Sequence, residues 1–126
     1  MWARRPAFLA LLYPVISFAD GLARPGSRTN RLGENPTPAY LTRFSAERQV
    51  TAQTPPAFLA HAQDDNTVSV QHSRVFYQAC LRHGVPVELH FCPYGGHGFG
   101  PRNKTTKDDW TERLKNWLDA HNLLTR

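Results

Sequence analysis

Two short polar segments hold the residues best suited to chemistry. One is "HAQDDNT", with Asp64 and Asp65; the other is "PYGGHGFGP", where His97 sits among glycines with Phe99 beside it. Taken singly, each has an ordinary explanation: a histidine in a glycine-rich turn, and an acidic pair serving as turn and helix-cap residues. Taken together they suggest more. A carboxylate that accepts an imidazole N–H fixes the ring's tautomer and stabilises the imidazolium formed when the ring removes a proton from a nucleophile. Asp65 and His97 would then be two members of a nucleophile–histidine–carboxylate relay, with His97 the general base and afterwards the general acid. Gly95, Gly96 and Gly98 would let the chain turn sharply enough to bring the ring inward.

Such a pair works only if the elements beneath it bring the two segments together. Three apolar runs, short and β-branched, read as strands: Ala7 to Ile16, Ala57 to Ala62 ("AFLAHA") and Val87 to Phe91, with Cys92 following. The first two lack alternation, as expected of strands covered on both faces. The third alternates more visibly, which fits a position nearer a sheet edge.

A helix follows the second strand. Ser69 can cap it, Val70, Ser73, Phe76, Tyr77, Ala79, Cys80 and Leu81 form a broad face, and Gly84 with Pro86 ends it. A last helix begins near Thr106, with Asp108 and Asp109 in its first turn and a stripe of Trp110, Leu114, Trp117, Leu118 and His121. Residues 17–56, rich in Pro, Gly, Asn and Arg, read as one long connection, with short helix near "PAYLTRF" and a possible role as lid or pocket wall.

Strands alternating with helices imply an α/β fold: a parallel sheet of about three strands with flanking helices. In such sheets chemistry sits beyond the carboxyl ends of the strands. Both polar segments lie there, one after the second strand and one after the third.

Composition narrows the remaining possibilities. The chain has 126 residues, 40% hydrophobic and 20% charged, as in an ordinary globular protein, and it is read as one domain. The net charge is +5, and five arginines fall between Arg24 and Arg48. Without interleaved aromatics or a recognition helix, these read as a solvated basic loop and not as a nucleic-acid surface. Cys80 and Cys92 read as buried thiols; a bridge between them stays open for an exported protein.

Six histidines invite a metal reading, but the short His90-x-Cys92 pair has no second ligand cluster at zinc spacing. His61 reads as a strand-end ring bonded to backbone, and His72 and His83 as exposed helix positions. No run is long enough to span a membrane. The N-terminal "MWARRPAFLALLYPVISFADGLA" has the outline of a signal peptide, yet Pro14 interrupts its apolar run and "LLYPVIS" suits a buried strand.

The segment "TPPAFLAHAQDDNTVSVQHSRVFYQACLRHGVPVELHFCPYGGHGFG" closely resembles the C-terminal part of α/β-hydrolases, specifically carbohydrate esterases of the acetylxylan-esterase type in the dienelactone-hydrolase and prolyl-oligopeptidase branch. Those proteins carry a pattern like H-G-x-x-D-x-x-V followed by G-G-H-G-F. Here His61, Ala62, Gln63, Asp64, Asp65, Asn66, Thr67 and Val68 match it, with Ala62 in place of glycine.

The resemblance implies that Asp65 is the acid and His97 the base, and that Tyr94, Phe99 and the 17–56 connection line the substrate pocket. It implies no cofactor. It also makes "RPAFLALLYPVIS" an internal strand and Met1 an internal residue or the start of a reading frame; compartment stays unknown.

In that family the order is nucleophile, acid, base. No serine here (Ser17, Ser27, Ser45, Ser69, Ser73) lies in G-x-S-x-G. The resemblance therefore implies one partial α/β-hydrolase domain over residues 1–126. It would be the C-terminal part of a serine esterase acting on acyl, notably acetyl, esters of carbohydrates, inactive alone and prone to self-association through the 7–16 strand edge. The alternative is a non-catalytic pseudoenzyme or interaction module with the same partial fold.

Overall fold

The computed structural model describes residues 4–19, 21–22 and 25–124. Met1, Arg24 and part of the stretch with the signal-peptide outline lie outside them. The elements are β1 (Leu9–Leu12), α1 (Pro25–Leu32), α2 (Pro38–Phe44), a 3-10 turn (Ala46–Arg48), β2 (Ala57–Ala62), α3 (Gln71–Arg82), β3 (Val87–Cys92) and α4 (Trp110–Ala120). Among the described residues the sheet has three strands in the order β1-β2-β3, both pairs parallel. Leu9 lies opposite Ala57, and Ala57 opposite Val87. This is the α/β arrangement expected from the sequence.

β2 is central and wholly buried. Its alternate residues serve two cores. Ala57 and Leu59 pack with Ile16, Val50, Phe76, Ala79, Cys80 and Val85 on the α3 side. Phe58 and Ala60 pack with Trp117 of α4 on the other, flanked by Trp110, Leu114 and Leu118. Two covered faces explain why the run "AFLAHA" shows no alternation. β3, half-buried throughout, is an edge strand.

Both long helices end in the same way. Gly84 (φ 68°) follows α3 and Asn122 (φ 55°) follows α4, each in the left-handed region. The N–H of Val85 donates to the carbonyl of Cys80, and that of Leu123 to Leu118, the Schellman pattern.

Several sequence expectations need correction. β1 is four residues long, not ten: Tyr13 takes φ 38° and Pro14 follows, so the ladder stops. The connection is more ordered than expected. α1, never expected as helix, opens on Pro25 and is closed by Gly33 (φ 84°), the proline-first, glycine-last asymmetry of helices.

Ser69 does not cap α3. Its hydroxyl accepts the N–H of Gln71, while the N-cap is Val70, which supplies no side-chain bond. Leu81, assigned to the buried face, is 55% exposed. α4 starts at Trp110, and Asp109 caps it by accepting the Thr111 N–H; Thr106 instead accepts the N–H of Asp108 in the preceding turn.

His72 is buried, not exposed. Its Nδ1 accepts the N–H groups of Ile16 and Ser17, both at 3.1 Å, and its Nε2 donates to the carbonyl of Leu22 at 3.1 Å. One imidazole thereby pins the segment leaving β1 against α3. Cys80 is buried but Cys92 only half-buried, and both are free thiols. No helix among the described residues is long and apolar enough to cross a membrane.

Candidate active site

The turn after β2 is built around the Asp65 side chain. Its Oδ1 accepts the backbone N–H of Thr67 at 2.9 Å and of Val68 at 2.8 Å, the self-capping turn that aspartate favours. Its Oδ2 accepts from two rings, His97 Nδ1 at 2.9 Å and His61 Nε2 at 3.1 Å. The carboxylate is fully buried and receives four hydrogen bonds. Burial alone would push its pKa up. The N–H donors of Val68 and Thr67 and the His97 ring outweigh this and hold Asp65 below the ordinary aspartate value.

The loop after β3 delivers His97. Gly95, Gly96, Gly98 and Gly100 all have positive φ, so the backbone curls where a side chain would strain it. Gly95 also meets Asn103 closely, since a Cβ there would lie 2.5 Å from Asn103 Nδ2. Asn103, nearly buried, donates to the carbonyl of Tyr94 at 2.7 Å and accepts the Thr105 N–H, clamping the loop. Asp64 ties the loop to the β2 turn by accepting the Gly96 N–H at 2.8 Å.

Because Nδ1 donates to the Asp65 carboxylate, Nε2 is the nitrogen that a neutral His97 ring offers as a proton acceptor. Its side chain is 34% exposed.

An aromatic group flanks this ring. Tyr13, at the carboxyl end of β1, stacks edge-on against His97 with centroids 4.8 Å apart and against Phe99 at 5.1 Å. Phe99 is half-buried and borders a cavity of about 130 Å³ with His90, Cys92 and Trp110. Tyr94 is 64% exposed, and its carbonyl accepts from Asn103 and Thr105 in the clamp. The 17–56 connection forms a separate groove of about 500 Å³ lined by Phe18, Asn30, Arg31 and Phe44.

The expected acid and base therefore meet, and Asp64 joins them as a loop tie. Sequence reasoning passed over Tyr13, Asn103 and Ser73. Of these only Tyr13 carried a signal, as the last residue before a proline at a strand's carboxyl end. His61 has its ring bonded to backbone as read, through the Val68 carbonyl at 2.9 Å, and to Asp65 and Ser73 as well. Among the described residues no group of three or more His, Cys, Asp or Glu could hold a metal; His90 instead bonds Glu88 at 2.9 Å.

Residues 25–123 match the prolyl oligopeptidase family. The chain is 34% identical over 121 residues to an acetylxylan esterase of Xylanibacter ruminicola, covering 92% of this chain and 25% of that protein. It is 36% identical over 107 residues to endo-1,4-beta-xylanase B of Butyrivibrio fibrisolvens, covering 85% of this chain and 17% of that protein.

Among solved structures it superposes on an acetyl ester-xyloside bifunctional hydrolase from Caldicellulosiruptor lactoaceticus with a TM-score of 0.88, at 41% identity, over 94% of this chain and 44% of that one. For a carboxylesterase of Lactobacillus plantarum the TM-score is 0.75 at 28% identity, over 95% of this chain and 46% of that one. The chain thus spans a quarter or less of these curated relatives and under half of these structures. A parallel sheet whose strand-end loops carry the hydrolase motifs, together with these matches, shows that the chain belongs to the prolyl oligopeptidase family and corresponds to the C-terminal portion of an esterase-like α/β-hydrolase.

Proposed function

We propose that this chain is one partial α/β-hydrolase domain that supplies the acid and base of a serine esterase. In this reading the nucleophilic serine and its oxyanion donors belong to a segment outside these 126 residues. The observation that carries the reading is the 2.9 Å bond from His97 Nδ1 to the buried Asp65 carboxylate.

The chemistry follows from that bond. His97 Nε2 takes the proton of the serine hydroxyl as its oxygen attacks the ester carbonyl, and Asp65 stabilises the imidazolium that forms. The same proton passes to the departing alcohol oxygen as the C–O bond breaks and an acyl-serine remains. Water, deprotonated by His97 in turn, then releases the acid and regenerates the serine. Acetyl esters of carbohydrates are the proposed substrates, a reading supported by relatives named for acetylxylan and acetyl ester-xyloside hydrolysis. Phe99, which packs edge-on to Tyr13 beside the His97 ring, is the side chain of this chain proposed to border the acyl pocket.

Two preparations test this. The purified chain alone should not turn over 4-nitrophenyl acetate or acetylated xylooligosaccharides above buffer. Joined to a segment that carries a G-x-S-x-G elbow and oxyanion donors, it should gain that activity. His97→Ala should then cost about 10⁴-fold or more in kcat, and Asp65→Asn about 10⁴-fold. Turnover by the chain alone that disappears in His97→Ala would overturn the claim that it is inactive by itself. A joined protein indifferent to His97→Ala and Asp65→Asn would favour the non-catalytic module.

A further inference from the structure

Behind the Asp65–His97 pair stands a second histidine that the proposed mechanism does not use. His61 lies within β2, fully buried. Its Nε2 is 2.9 Å from the carbonyl oxygen of Val68 and 3.1 Å from Asp65 Oδ2. A carbonyl can only accept, so Nε2 carries the proton and shares it between both oxygens. In the neutral ring Nδ1 is then a bare acceptor, and it receives the Ser73 hydroxyl from the first turn of α3 at 2.7 Å. Both ring nitrogens are satisfied, and the neighbours select one tautomer.

We infer that His61, locked by Ser73, is a positioning residue that holds the Asp65 carboxylate in the orientation that accepts the His97 Nδ1 proton. The inference rests on the proposed acid–base reading of Asp65 and His97 and adds a third and fourth member behind them. Oδ1 of Asp65 is fixed by the backbone of its own turn. Oδ2 has His61 as its only donor besides His97 among the described side-chain bonds. Without His61, the carboxyl plane loses the contact that aims Oδ2.

A neutral N–H orients the carboxylate without cancelling its charge, leaving that charge to act on a His97 imidazolium. Were Ser73 unable to donate to Nδ1, the ring would keep its Nε2 proton, set by the Val68 carbonyl and Asp65, but lose the contact that fixes its tilt and so the aim of that N–H at Oδ2. The chain of contacts from Ser73 through His61 and Asp65 to His97 thus ties the α3 helix to the orientation of the reacting ring.

The test needs no turnover. Long-range ¹H–¹⁵N correlation spectra of ¹⁵N-histidine-labelled chain report the tautomer of each ring through its carbon-bound protons. They are recorded at alkaline pH, where the rings are neutral. The wild type should show His61 as Nε2–H and His97 as Nδ1–H, the second opposite to the preference of a histidine side chain free in water.

Ser73→Ala should leave His61 as Nε2–H, since the Val68 carbonyl remains, but move His97 toward the Nε2–H form as the ring loses its anchor, with the amide spectrum otherwise retained. His61→Leu should do the same to His97, whereas His61→Gln, which keeps a side-chain N–H donor, should hold it as Nδ1–H. Should His61→Leu not fold, Ser73→Ala and His61→Gln carry the test. If Asp65→Ala shifts His97 but Ser73→Ala and His61→Leu do not, the positioning role is wrong and the acid–base pair stands. A wild-type His97 already in the Nε2–H form overturns the pair itself.

Discussion

At the scale of single residues, the His97 loop separates two costs that glycine avoids. Gly95 and Gly96 both have positive φ, at 134° and 63°, so alanine is strained at either. Only at Gly95 would a Cβ also collide, at 2.5 Å, with the Asn103 amide that clamps the loop. At Gly96 nothing lies within 4 Å. Gly96→Ala should therefore cost about 1 kcal/mol in urea denaturation, the left-handed penalty alone. Gly95→Ala should cost about 2–3 kcal/mol and shift the His97 resonances as the clamp yields. Equal losses at the two sites would count against the clamp.

The thiols offer a second contrast. Burial pushes the Cys80 pKa up to about 11, and its side chain is inaccessible. Burial also raises Cys92, but it is half-buried and its sulfur accepts from Asn103 Nδ2. Iodoacetamide should label Cys92 first under native conditions, with Cys80 reacting only on unfolding. Simultaneous labelling would mean that the α3 face opens more readily than its packing implies.

Elements add effects that no residue has alone. His72 joins α3 to the segment leaving β1, and it can do so only as a neutral ring. Nδ1 faces two backbone donors, so a proton there would confront both. Burial lowers its pKa, outweighing the Leu22 carbonyl, Glu47 and Asp65, which act the other way. In the unfolded chain the ring takes up its proton near the ordinary histidine value, about 6.5. The contribution of this neutral ring is therefore complete above that value and declines as pH falls below it, because the unfolded state then binds the extra proton. Urea midpoints should drop from pH 7.5 to 5.5 in the wild type. They should drop less in His72→Gln, whose side chain does not titrate. Parallel slopes would show that other groups govern this window.

The same histidine shows where the sequence stops being readable. β2 was legible to the residue because "AFLAHA" is an unbroken apolar run between Pro56 and a polar turn. Asp65 and His97 were legible because strand-end loops on adjacent parallel strands must come close. The burial of His72 was not, although it lies four residues before Phe76 on the same helical face. Its partners are backbone N–H groups of a distant segment, which carry no side-chain signature. The start of α4 slipped by four residues because Thr106 and Asp109 are both competent caps. Which of them serves as a turn depends on how Asn103 and Thr105 hold the chain leading in.

For the molecule as a whole, the open question is what β1 pairs with on its free side. Leu9 and Tyr13 donate to β2, so in a parallel ladder the alternate N–H groups of Ala10 and Leu12 face away from it. Among the described residues no strand lies there. The edge is apolar and carries no charged residue, with exposed Ala10 at its centre and exposed Val15 just beyond. Such an edge is a template for another strand. We expect the chain alone to self-associate through it. In sedimentation velocity the average mass should rise with concentration, and Ala10→Lys, which sets a charge on the edge without touching the β2 side of the ladder, should return the chain to monomer. Joining the chain to a segment that supplies a strand at this edge should have the same effect as the lysine, since both act at the unpaired side of β1. A wild-type monomer across a wide concentration range would show that the edge is already protected, and an Ala10→Lys chain that still assembles would place the contact on another surface.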